Sequence, residues 1–343
     1  MKNINVRIIS QNDVAKIFKN NADLSFKIIE DALLKYANNE VIFPDKISQI
    51  FDQETQNRIN CMPATLLGDN VSGLKWVSVF PTNSKKGIMN VTGIMVLSEI
   101  ETGFPIAVID GTLCTKLRTA SVGCVAAKYL APSVVKKVGF IGAGEEAKMH
   151  FALLKHLFPT ISECRVCSRT HESEIMFINS FKEITPEVKF IDCKNNSSVA
   201  ADVDIIVTAI SGQAPVLKTS DIRKGSLYIH VGGWEDEYGV ALKADKIVCD
   251  NWDASKHRTQ TICRMYKEEI LKDERIYANL DEIVSGKKKG RSNDDEFIYF
   301  NSVGLSFIDL NYANCIYNKS RELGLGTTIN MASESWEDYS KII

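Results

Sequence analysis

The sequence predicts an α/β protein in which a doubly wound parallel sheet is inserted into an α+β domain, and three observations predict it. From residue 131 onward, short and continuously apolar stretches alternate with polar or helical segments, as strands of a parallel sheet covered on both faces do. Before residue 131 the pattern changes. "GLKWVSVF" alternates, and "VTGIMVLSEIETGFPIAVID" holds two apolar runs about a polar "EIETG" turn, an antiparallel hairpin signature. The closing "TTINMASESWEDYSKII" comes after a long helical stretch and is expected to return to the first domain, which makes the middle an insertion. A chain of 343 residues is long for one core. The expected division is 1–130 plus 320–343 for substrate binding and dimerisation, and 131–319 for the inserted domain.

Taken in order, "INVRIISQNDVAKIF" opens with a strand and continues as a helix. The parallel strands are expected at "KKVGFIGAG", "ECRVCSR", "VKFIDC", "VDIIVTAI", "SLYIHVGG" and "DKIVCD", separated by segments such as "SEIMFINSFKEI" and "TSDIRKG". A helix is expected over "GLSFIDLNYANCIYNKSRELG", residues 304–324, and the lysine run "GKKKGRSNDDE" at 286–296 reads as a solvated loop.

Composition narrows the function. The net charge is −2 with 24% charged residues, so no basic patch points to nucleic acid. No apolar run is long enough to span a membrane. The first residues, "MKNINVRIISQNDVAKIF", lack an export-signal core, and a cytoplasmic location is expected. Nine cysteines are irregularly spaced. Cys164 and Cys167 have CxxC spacing, but in a strand they face opposite ways, and no second pair completes a site. No metal is expected.

"VGFIGAGEEAKMHFALLKHLF", residues 138–158, carries the strongest motif. Gly142, Gly144 and Ala147 give G-x-G-x-x-A between an apolar strand and a helix. The first glycine permits a tight turn, the second lets backbone approach a pyrophosphate, and the small third residue lets helix pack on strand. Ala147, Phe151, Leu154 and Phe158 then form one apolar helical face. The helix N-terminus aims backbone N–H groups at phosphates. The reading is a Rossmann-type dinucleotide site. The next strand ends in Ser168, Arg169 and Thr170 without the acid that binds a ribose 2′-OH. NAD is expected, and NADP stays open because an arginine there can accept a 2′-phosphate.

With this loop, "GLKWVSVFPTN" (73–83), "VTGIMVLSEIETGFPIAVIDGTLCTKLRTASV" (91–122) and "GRSNDDEFIYFNSVGLSFIDL" (290–310) resemble the ornithine cyclodeaminase/mu-crystallin family, in the family's order. The resemblance implies a homodimer that binds NAD(P) and moves a hydride to or from Cα of an amino acid or its imine. It implies that Lys75 is the active-site lysine and that Arg118 anchors the α-carboxylate. Thr92 and Thr119 match positions near cofactor and carboxylate. Glu145 and Glu146 fall at the pyrophosphate, and Ser168 and Arg169 at the adenosine ribose. Thr208, the turn Val231-Gly232-Gly233-Trp234 and Ser302 fall at the nicotinamide, and Lys46 near a further basic substrate contact. Cationic partners suit a substrate with several carboxylates. The competing reading leaves Lys46 and Lys75 exposed on strand edges.

One position departs from the family. Cyclodeaminases carry an aspartate directly after the Gly-Gly of "HVGGWEDEYGV", and here Trp234 stands there. An indole is no general base, which weighs against ornithine cyclisation. Glu235 or Asp236 is the expected proton acceptor, while at least two of Glu235, Asp236 and Glu237 are expected to be solvated. "KADKIVCDNWDASKHRTQT", "GLSFIDL" and "GLGTTINM" resemble the siderophore-precursor branch, the N-(2-amino-2-carboxyethyl)-L-glutamate dehydrogenases. That branch implies oxidative hydrolysis to 2-oxoglutarate and L-2,3-diaminopropionate. The alternatives are ornithine cyclodeaminase, another imine oxidoreductase, or a nucleotide-holding binding protein like mu-crystallin.

Overall fold

The computed structural model describes residues 3–52, 54–332 and 340. The chain forms two compact units. One holds residues up to 24, 38–115 and from 306 on, and the other holds 25–37 and 116–305.

The first unit is an α+β layer. Its strands are β1 (Ile4–Ile9), β2 (Val41–Ile42), β3 (Ile47–Ile50), β4 (Arg58–Leu66), β5 (Val71–Val79), β6 (Val91–Glu99) and β7 (Pro105–Asp110), with a C-terminal strand, Thr327–Ala332. β4 to β7 run antiparallel, and β6 and β7 are the expected hairpin. β1 lies parallel to β7 and antiparallel to Thr327–Ala332. Residues 327–332 of the tail thus lie in the first unit, on β1; 333–339 and 341–343 lie outside the described residues. Ser10 caps the helix Gln11–Phe18, where the sequence changes from strand to helix period. Alternation decides the buried face. Asn60, Met62, Ala64 and Leu66 of β4 and Val71, Lys75 and Val77 of β5 are buried. The helix Ser306–Glu322 covers that face, with Phe307 edge-on to Phe43 at 5.0 Å and Tyr312 stacked on Phe18 at 5.7 Å.

The second unit is a wholly parallel sheet of β8 (Lys137–Ile141), β9 (Glu163–Cys167), β10 (Lys189–Asp192), β11 (Ile205–Thr208), β12 (Leu227–His230), β13 (Lys246–Cys249), β14 (Ile276–Asn279) and β15 (Ile298–Asn301). Their order is β10-β9-β8-β11-β12-β15-β13-β14. The chain moves one way from β8 to β9 and the other way to β11, so a topological switch opens at the carboxyl end of β8. Phe151 of the helix Glu145–Leu157 meets the rings of Phe140, Phe177, Phe181 and Phe190 at 4.7–6.1 Å. Cys164 and Cys167 are both buried in β9.

Four expectations are corrected. The helix Ser306–Glu322 belongs to the first unit, not to the inserted domain up to 319, because its apolar face lies on β4, β5 and β6. The helix Thr112–Leu130 passes to the second unit from residue 116, where a Cβ on Gly123 would stand 2.8 Å from His150 Nε2 and 3.4 Å from Ile229. Residues 25–37 also belong there, with Glu30 accepting from Lys128 and Tyr129. β14 and β15 were not among the expected strands. "IYFN" is only four residues behind an acidic loop, yet it enters the sheet between β12 and β13. The lysine run is exposed at Lys287, Lys288 and Lys289.

Candidate active site

The glycine loop comes directly after β8, and its two glycines answer to different constraints. Gly142 has φ +106°, and a Cβ there would lie 2.4 Å from the Ala209 carbonyl. The chain itself requires it. Gly144 has φ −78° and ψ −173°, which any residue adopts, and a Cβ there would meet nothing within 4 Å. It is exposed at the N-terminus of Glu145–Leu157, so its missing side chain leaves an open approach to the helix-end N–H groups. The buried Ala147 packs this helix down. Those features fit a dinucleotide pyrophosphate. Glu145 in the first turn is countered by Lys116 and Lys148, each 3.3 Å away. Partial burial pushes its carboxyl up, but the two ammonium groups outweigh that and hold it below its ordinary range. Glu146 comes next, half-buried.

At the end of β9, Arg169 is exposed and Ser168 is half-buried. The Ser168 N–H donates to Glu174 Oε1 at 2.6 Å, so the nearest acid holds the loop. Thr208, Val231, Gly232, Gly233 and Ser302 lie at the carboxyl ends of β11, β12 and β15. These strands come after β8 in the sheet. The predicted cofactor residues of this unit thus gather along one edge, where doubly wound sheets bind ligands.

Beneath that edge lies a polar cluster. Glu235 and Asp236 are fully buried, which corrects the expectation that two of the three loop acids are solvated; only Glu237 is exposed. Glu235 Oε2 accepts from Thr208 Oγ1 at 2.6 Å and Gly232 N at 2.9 Å, and Oε1 accepts from Ile210 N at 2.7 Å. It staples the loop after β11 to the turn after β12. Asp236 Oδ1 accepts from Thr261 at 2.6 Å, Tyr299 at 3.1 Å and Tyr228 at 3.3 Å. His230 Nε2 stands 3.5 Å from Glu235 and 3.7 Å from Asp236, while its Nδ1 meets Asn301 at 2.8 Å. Burial pushes the Asp236 carboxyl up to about 6, against the pull of His230 and of its hydrogen bonds. The sequence put acids beside a glycine turn; it did not reveal donors arriving from three distant segments, at 208–210, 261 and 299. Trp234 lies under the Arg264 guanidinium, 4.6 Å from the ring centroid.

Arg118 is buried, and its guanidinium lies against Gly304, where a Cβ would be 2.5 Å from Nη1. Gly304 has φ +88°. Asp250, not foreseen from the sequence, fixes this backbone by accepting from Val303 N and Gly304 N at 2.7 Å each. Thr119 is half-buried beside it in sequence.

In the first unit, Lys75 is 2% exposed, so the strand-edge reading fails. Its register partners are Met62 and Met95, and its Nζ stands 2.7 Å from Asp309 Oδ2. Asp309 was also missed, although a lone acid inside the apolar "SFIDL" was its signal. Thr92 pairs with Ser78, their hydroxyls 2.7 Å apart. By strand alternation it lies on the face opposite Lys75. Lys46 is half-buried just before β3.

A parallel sheet with an open glycine cradle at its switch point defines a Rossmann-type dinucleotide-binding protein. The chain belongs to the ornithine cyclodeaminase/mu-crystallin family, whose pattern matches residues 7–324. It is 27% identical to the N-((2S)-2-amino-2-carboxyethyl)-L-glutamate dehydrogenase of Staphylococcus aureus, over 94% of this chain and 98% of that one. Among solved structures, it superposes on Thermococcus litoralis Delta(1)-pyrroline-2-carboxylate reductase in complex with NADH and L-proline. The TM-score is 0.89 with 28% identity, covering 94% of this chain and all of that one. An archaeal alanine dehydrogenase dimer with bound NAD gives 0.86 and 28%, covering 96% and all.

Gly144→Val is expected to melt like the wild type, since its Cβ meets no atom of the chain, yet to lose NAD affinity in a titration. Unchanged affinity contradicts the cradle. Asp236 supplies a pH test. Its folded value near 6 exceeds the ordinary 3.8, so its contribution to stability is present below 3.8 and is lost as pH rises through about 6. In urea unfolding at about pH 4 and about pH 7.5, the wild type should lose more stability on the rise than Asp236→Asn does. Parallel losses contradict the assignment.

Proposed function

We propose that this chain is an NAD(P)-dependent dehydrogenase acting on a CH–NH donor, and that its reaction is the oxidative hydrolysis of N-(2-amino-2-carboxyethyl)-L-glutamate. The observation that carries the redox reading is Gly144, a glycine that the chain does not need and a pyrophosphate does. Counted from the neutral amine, substrate, water and NAD+ become 2-oxoglutarate, L-2,3-diaminopropionate, NADH and a proton. When bound, the nicotinamide supplies the hydride acceptor. The substrate reading is supported by the near full-length likeness to the Staphylococcus aureus dehydrogenase. Two buried cations and a half-buried one suit a triply anionic substrate. Arg118 takes one carboxylate as a bidentate fork, Lys75 meets a second charge and steers the amine, and Lys46 meets the third. Thr92, Thr119, Glu145, Glu146, Ser168, Arg169, Thr208, the 231–233 turn and Ser302 hold the cofactor. On this reading the enzyme serves siderophore or related biosynthesis and works in the cytoplasm.

Glu235 and Asp236 act here as positioning groups for the turn. Both Glu235 oxygens and Asp236 Oδ1 accept from donors of the chain, and both side chains are fully buried, so neither acts as the proton acceptor of the resting fold. With Trp234 directly after the Gly-Gly and the next two acids buried, the turn weighs against ornithine cyclisation.

A homodimer is supported by one row across four strands. Ile47, Cys61, Trp76 and Ile94 are direct register partners on the face away from the helix. Ile47 is 63%, Trp76 39% and Ile94 45% exposed, and a second copy covers them.

The purified protein with NAD+ and the aminocarboxyethyl-glutamate should form NADH and 2-oxoglutarate, and Arg118→Ala should cut kcat/KM about 100-fold or more while NAD affinity changes far less. Proline and ammonia from ornithine, or nucleotide retention with no turnover, would overturn the reading. Equal loss of substrate and NAD binding would remove the carboxylate role from Arg118.

A further inference from the structure

We propose that Asp309 is the positioning residue for the amine-handling lysine: its carboxylate, 2.7 Å from Lys75 Nζ, fixes the direction and the positive charge of that side chain within the first unit. The inference deepens the dehydrogenase reading and rests on it.

Burial of this pair is costly. The two side chains are 1% and 2% exposed, and an ammonium taken out of water is strongly disfavoured unless an anion meets it. Lys75 sits mid-strand on β5. On either side its register partners are buried methionines, Met62 of β4 and Met95 of β6, whose thioethers are at best weak acceptors. The anion comes from the helix Ser306–Glu322, where Asp309 is the acid of the first turn, a place the helix dipole favours for negative charge. Cys114 of the helix Thr112–Leu130 also lies near the pair, and Asp110 at the end of β7 lies near Cys114. Asp110 at the end of β7 accepts from Thr112 N at 3.1 Å and Leu113 N at 2.8 Å, and is engaged in capping the helix. Cys114 is buried, and burial, with Asp110 and Asp309 behind it, raises its thiol well above the ordinary range, so it stays neutral. Asp309 thus brings a carboxylate to ion-pair distance of the lysine.

A pair of this kind adds little to stability compared with well-packed apolar residues. Its use is chemical. Lys75 must be charged to hold an anionic substrate and to give a proton to the departing nitrogen. Removing the carboxylate while keeping its shape leaves a buried ammonium that gives up its proton at lower pH.

The test is the pH profile of kcat/KM for NADH formation by the full-length protein. Asp309→Asn should move the alkaline limb to lower pH by about one unit or more, with NAD affinity unchanged because the glycine cradle belongs to the other unit. Asp309→Glu keeps the charge but displaces it, and should leave the limb in place while lowering kcat/KM about tenfold or more. Should the asparagine variant fail to fold, the glutamate variant carries the test, and an undiminished kcat/KM then overturns the proposal. A folded asparagine variant that loses activity equally at all pH values, its limb unmoved, overturns it as well. A wild type without turnover fails the dehydrogenase reading instead.

Discussion

An ammonium buried away from water constrains the first unit more than any other feature. Strand alternation on β5 sends Val71, Lys75 and Val77 to one covered face, and only the middle residue is charged. The helix that covers that face must bring an acid to the same height, and Asp309 does. An apolar pair would pack there at lower electrostatic cost. The charge persists in a layer built to exclude water, and its value lies in what it can bind.

The parallel unit handles buried charge the other way. Glu235 and Asp236 are turned under the glycine turn and take donors from the ends of β11 and β12, from Tyr299 of β15 and from Thr261. The acids brace the edge where the predicted cofactor residues gather. Trp234, ahead of them, lies instead against the Arg264 guanidinium.

Much of this was legible in the sequence. The strand–glycine–helix passage at 138–158 is local, and local pattern is what sequence shows best. So are the β6–β7 hairpin and the helix beginning near 304. A return of the tail to the first domain was also foreseen, though not its pairing with β1. The features that were not legible depend on contacts remote in sequence. "IYFN" becomes a central strand only because β12 and β13 leave a gap for it. Lys75 could be read as an edge residue until the helix carrying Asp309 was laid across it. The acids after Gly233 look solvated until donors from elsewhere reach them. The division between units was misplaced at 130 and 320 because helix period alone does not say which sheet a helix covers.

The central claim is that the α-carbon of the glutamyl part is the carbon oxidised. The most direct measurement is to place deuterium on that carbon, run the reaction with NAD+, and find the label by mass spectrometry. Deuterium is expected in the reduced nicotinamide, with none in the diaminopropionate or the 2-oxoglutarate. Label recovered in solvent or in the diaminopropionate, with unlabelled reduced cofactor, would contradict the claim.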